Sequence, residues 1–129
     1  MIRRKFIGSA ALIGIASLMG FKIPAPKKSL LHQVYFWLKN PESEADKKEL
    51  IAGLKKLASI PTVRQIHVGT LASTEKRDVV DTSWDVSELL FFDNETDQKI
   101  YQDHPIHQEF IKKCAHLWEK VVVYDTLSI

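Results

Sequence analysis

Cysteine is nearly missing from this 129-residue sequence: Cys114 stands alone, so neither an internal disulfide nor a multi-cysteine zinc site can form. Its place in a helical apolar pattern reads as a buried core thiol. Glycine and proline are sparse, five of each, which excludes collagen-like and low-complexity chains. No apolar run reaches the roughly 20 residues of a membrane span. A phosphate-binding loop, a dinucleotide fingerprint and any motif for a catalytic nucleophile are also missing, so no cofactor is expected. Acidic residues are absent from the first 25 positions, where Arg3, Arg4, Lys5 and Lys22 are four of the 18 basic residues. The formal charge of +2 therefore misleads. A cut after Ala25 leaves 14 basic against 16 acidic residues, a net charge of −2. That argues against a nucleic-acid partner, which needs a clustered basic surface.

What is present at the N-terminus reads as an export signal over residues 1–25. Arg3, Arg4 and Lys5 precede an uncharged stretch from Phe6 to Phe21, and Ile23-Pro24-Ala25 offers a small-residue cleavage site. Arg3 to Ile7 resembles the twin-arginine export motif, with Ile2 and Gly8 departing from it. Twin-arginine export is the expected route, ordinary secretion the second, and an uncleaved anchor the third. The expected location is periplasmic or secreted, with no membrane attachment after cleavage. Residues 26–29 form a linker, and one domain is expected over residues 30–129. With 45% hydrophobic and 26% charged residues, the chain can bury a single core.

Hydrophobic periodicity divides the domain into six elements. Leu30 to Leu38 is rich in aromatic and branched residues and reads as a strand apolar on both faces. Asn40-Pro41 ends it. Ser43 and Asp46 resemble a capping box ahead of a helix carrying Leu50, Ile51, Leu54, Leu57 and Ala58, which Pro61 stops. Val63 to Thr70 predicts a second strand, Leu71 to Trp84 a polar loop, and Val86 to Phe92 a third strand. Asn94 and Asp97 cap a short helix through Tyr101. His104-Pro105 then interrupts it and restarts it as a helix with a stripe of Ile106, Phe110, Cys114 and Leu117. Val121 to Ile129 predicts the last strand.

This order, βαββαβ, is the α+β arrangement of ferredoxin-like domains: an antiparallel four-stranded sheet with both helices on one face. The other face is left open. In the first strand His32, Val34, Phe36 and Leu38 alternate with Leu31, Gln33, Tyr35 and Trp37, so neither face is polar. An exposed Tyr35 and Trp37 would form an apolar patch, and a homodimer packing sheet against sheet is expected.

Four segments carry a resemblance to a known family: the strand start with His32, Ile60 to Val63 leading to Gly69, Tyr101 to His107 (YQDHPIH), and Trp118 to Asp125 (WEKVVVYD). Together they resemble the stress-responsive dimeric A/B barrel proteins over about Leu30 to Ser128. The resemblance implies a dimer whose two sheets close into an α/β barrel. Members include stress proteins and polyketide cyclases, so membership leaves the function open. In the plant cyclase of this family, matching histidines and a matching tyrosine line the active site, which the resemblance carries onto His32, His107 and Tyr101. A further pocket tyrosine of that cyclase is replaced by Gly53, so the substrate cavity differs.

The residues themselves point the same way. His107 lies three positions before Phe110 and borders the core stripe, and His32 shares a strand face with Val34 and Phe36. If that face meets the helices, the two histidines and Tyr101 can converge on a cavity of about 300–1,000 Å³. A histidine titrating near pH 6.5 suits acid–base work there. Each residue also has a structural reading, as a satisfied polar group in the core. His104 and His107, with Asp103 and Glu109 nearby, lack a clear third metal ligand, and no metal site is expected. Two function classes stay open: a small-molecule binder or proton-transfer enzyme, and a non-catalytic stress barrel. The Leu71 to Trp84 loop is expected to cover the pocket mouth.

Overall fold

A computed structural model describes residues 28–129; the export signal and the first half of the linker read above lie outside the described residues. The elements follow in the order β1 (Leu30–Leu38), α1 (Glu44–Lys56), β2 (Gln65–Gly69), β3 (Val86–Phe92), α2 (Glu95–Asp103), α3 (Pro105–Cys114) and β4 (Trp118–Leu127). Short 3-10 turns, Leu57–Ser59 and Ala115–Leu117, end α1 and α3.

Helix starts are fixed by local chemistry. Ser43 Oγ accepts from Asp46 N (3.1 Å) and caps α1, while Asn94 Oδ1 accepts from Asp97 N (2.8 Å) and caps α2. Each satisfies one of the amide donors left free at a helix N-terminus. His104 caps α3 through Nδ1, which accepts from Ile106 N (3.1 Å), and Pro105 takes the first helical turn. The break between α2 and α3 therefore follows from His104-Pro105: proline pushes the preceding residue into extended backbone, and His104 has ψ 142°.

The sheet has the order β2-β3-β1-β4, antiparallel throughout. Central β1 is bonded on both sides, and its residues are alternately buried and half-buried. The buried set, Leu30, His32, Val34, Phe36 and Leu38, meets the helices in one core with Leu50, Leu54, Leu90, Phe92, Tyr101, Phe110 and Leu117.

Two strand starts differ from the sequence expectation, and the same two strands end earlier, at Gly69 and Leu127 rather than Thr70 and Ile129. The second strand begins at Gln65 rather than Val63, because Val63 N closes a turn onto Ile60 O (3.0 Å). The last strand begins at Trp118 rather than Val121: a bulge beside Trp37 and Leu38 lets Trp118 pair with Leu38.

Gly53 allows α1 to approach α3. A Cβ placed there would lie 2.8 Å from Cys114 Sγ and 3.2 Å from the Phe110 ring, closer than packed side chains tolerate. This position is therefore closed to a larger side chain unless Cys114 and Phe110 shift.

Candidate functional site

Strand register builds the centre of the site. His32 and Asp125 are direct partners across β1 and β4, and directly opposed residues share a sheet face. Their side chains meet: His32 Nδ1 lies 2.6 Å from Asp125 Oδ1. A carboxylate only accepts hydrogen bonds, so Nδ1 donates, and Nε2 is left to take or give a proton. The same register sets Val34 opposite Glu88 of β3. The Glu88 carboxylate therefore points toward the helices and is buried, with 3% exposure.

Tyr101 and His107 descend onto this face from α2 and α3. The Tyr101 ring lies 5.7 Å from that of His32 and 4.8 Å from that of His107. Its hydroxyl donates to Glu88 Oε2 at 3.2 Å. His107 is buried, and its Nδ1 has no hydrogen-bond partner. Such orphaned buried groups are uncommon and call for an explanation.

All three residues singled out from the sequence, together with Glu88, line one cavity of about 170 Å³, walled by Val34, Phe36, Phe110, Trp118, Val121 and Val123. That volume is below the expected 300–1,000 Å³. The aromatic rings explain the difference: Trp118 packs 4.9 Å from Phe36 and 5.8 Å from Phe110, filling one end. The loop between β2 and β3 does not cover this cavity, contrary to expectation, and none of its residues lines it. Instead Trp84 packs on Tyr35 (5.2 Å), and Ser83 Oγ accepts from Trp37 Nε1 (3.1 Å). Both anchors lie on the open sheet face, because Tyr35 and Trp37 alternate with His32 and Phe36.

Burial shapes the titration of the site. Desolvation holds the Glu88 carboxyl up to about 7 against the lowering effect of its Tyr101 hydrogen bond. It is thus neutral through acid pH and ionised in mild alkali. Desolvation also raises Tyr101, with the charge of Glu88 adding to it, so the phenol keeps its proton. His107 is shifted down by desolvation, partly opposed by the nearby Gln102 backbone. Its imidazole is neutral at pH 7 and can act as a base. Among the described residues no group of three His, Cys, Asp or Glu could hold a metal ion; His104 Nδ1 is already committed to its cap.

Sequence reasoning missed Glu88 and Asp125 as members of the site. A signal for Glu88 was available: it is the one ionisable residue in the alternating set Val86, Glu88, Leu90, Phe92, whose other members are apolar and buried. Asp125 carried no such signal, because its partner depends on register.

Known proteins support the architecture. A hydroxynitrile lyase from Passiflora edulis superposes with a TM-score of 0.67 at 22% identity, covering 81% of this chain and 96% of its own. A Dabb family protein of ferredoxin-like fold from Mesorhizobium loti gives 0.65 at 22%, covering 80% and 99%. A dimeric ferredoxin-like protein of unknown function from Bacteroides fragilis gives 0.59 at 25%, covering 76% and 94%. No curated protein matches the sequence significantly. The family described as the Stress responsive A/B Barrel Domain matches residues 30–128, nearly all of the folded unit built above, and the chain belongs to that family.

Proposed function

We propose that the domain binds a small, partly apolar molecule bearing a carbonyl or a phenol at His32, Tyr101 and His107, and that the two histidines move protons on it. The supporting observation is the convergence of two imidazoles, His32 and His107, and the Tyr101 phenol on the wall of one cavity. Neutral His107 serves as base, His32, held by Asp125, as the second proton carrier, and the Tyr101 oxygen, whose own proton goes to Glu88, as hydrogen-bond acceptor. Addition to a carbonyl and its reversal need only such transfers. In the lyase direction a hydroxyl proton passes to a base, the C–C bond breaks to leave a carbonyl, and the departing carbanion is protonated. The similar fold of the hydroxynitrile lyase is compatible with this chemistry.

The test is mass spectrometry of molecules retained by the purified protein. A bound carbonyl or phenol compound small enough for about 170 Å³ is the expected result, and a protein that retains none and takes up none from a library of such compounds would sink the reading. The cavity's small size favours a second reading, a stress barrel without catalysis. The same library experiment separates the two.

The chain is further proposed to act outside the cytoplasm as a homodimer. A reporter fused behind Met1 to Ser29 should be exported, and changing both Arg3 and Arg4 to lysine should abolish that export if the twin-arginine pathway carries it. Export surviving the double change assigns the general secretory route. A reporter retained in the cytoplasm refutes the signal.

A further inference from the structure

Glu88 has no task in the proton chemistry above, yet it is buried in the wall of the cavity. Its carboxylate is buried, lines the cavity and bonds Tyr101 alone. The groups facing it can be traced element by element. Helix α2 presents Tyr101, α3 presents His107, and β1 presents His32, which is tied to Asp125 of β4. Neighbouring β2 sets Val68 opposite it, and α1 buries Leu50 and Leu54. No lysine or arginine lines the cavity.

We infer that Glu88 sets the charge selectivity of this pocket, so that it admits uncharged carbonyl, amide or phenol ligands and rejects carboxylates. This rests on the pocket reading above and extends it to a ligand class. An anion confined in about 170 Å³ sits within a few ångströms of the carboxylate, with little water to screen it. The rejection is also switched by pH. The Glu88 carboxyl, held up to about 7 by desolvation, is charged above that value and neutral below it. His107, shifted down by desolvation, supplies no compensating cation at pH 7 and above. Carboxylates are therefore tolerated in mild acid and excluded in mild alkali, whereas neutral ligands are indifferent.

Benzamide and benzoate are close in size and shape and differ in charge, which makes them suitable probes. Binding to the purified protein is followed through the NMR signals of His107 and Tyr101 at about pH 6 and about pH 8. Benzamide should bind equally at both. Benzoate, ionised at both, should bind up to about tenfold more weakly at the higher pH. Glu88→Gln keeps the size and an oxygen to accept from Tyr101, and should bind benzoate to within about threefold at the two values. Benzamide binding accompanied by an unchanged benzoate profile in Glu88→Gln would overturn the inference and leave the pocket reading standing. Failure of both probes to bind would remove the pocket reading and the inference with it. Should Glu88→Gln not fold, the carboxyl carbon of Glu88 in the wild-type protein decides: titration near neutrality supports the switch, and ionisation complete in mild acid refutes it.

Discussion

Replacing His107 with alanine should lower turnover of a carbonyl substrate by about 10²–10⁴-fold, the usual contribution of a positioned acid or base, while the protein stays folded. The fold should survive because α3 is held by other residues: Phe110, Cys114 and Leu117 remain buried in the core. Truncation enlarges a cavity that already exists, so the loss should fall below the roughly 2–5 kcal/mol of a large-to-alanine change in a closed core. It also removes an imidazole nitrogen buried without a partner, whose desolvation costs about 1–3 kcal/mol. Steady-state rates and thermal melts on the same samples check both halves. A large drop in melting temperature with ligand binding untouched would make His107 a packing residue.

Trp37→Glu should convert the proposed dimer into monomers or aggregates. The open sheet face carries Leu31, Tyr35, Trp37, Leu89, Phe91 and Val122, all half-buried in the single chain, together with exposed Tyr124. Trp84 adds to it by packing on Tyr35. A two-fold interface counts each substitution twice. Loss of two buried aromatic side chains, each worth roughly 1.5–3 kcal/mol, corresponds to about 3–6 kcal/mol and a weakening of about 10²–10⁴-fold. Burying two carboxylates adds to that. The substitution also removes the ring beneath Lys120, which lies 4.5 Å from its centroid, and the donor to Ser83. Sedimentation velocity of wild type and variant at micromolar concentration reads the result directly. A wild-type protein that sediments as a monomer there would defeat the proposed dimer.

The comparison of sequence with structure turns on how local each cause is. Ser43 with Asp46, Asn94 with Asp97 and His104-Pro105 act within four residues of one another, so the helix starts were readable as sequence, and each is seen capping or breaking a helix. Alternation in Leu30 to Leu38 likewise sorted β1 into two faces and put His32 with Val34 and Phe36, because strand geometry has a period of two. The order of elements and the antiparallel sheet followed from these.

Tertiary structure decided everything that depends on which residues lie across from one another. The pairing of His32 with Asp125 spans 93 positions and exists because β4 meets β1 in one register; a slip of one residue would turn Asp125 to the opposite face. Glu88 becomes a member of the site only when Tyr101, 13 positions on, folds back over β3. Cavity volume was set by Trp118 stacking between Phe36 and Phe110, three residues from three elements. The course of the loop between β2 and β3 was set by Tyr35 and Trp37, which offered apolar surface on the open face to Trp84 and Ser83. By itself the sequence determined its helix caps, its strand faces and its candidate histidines, since these are fixed by nearest neighbours along the chain. Partners, volume and buried charge were left to the fold, because only packing determines what surrounds a side chain.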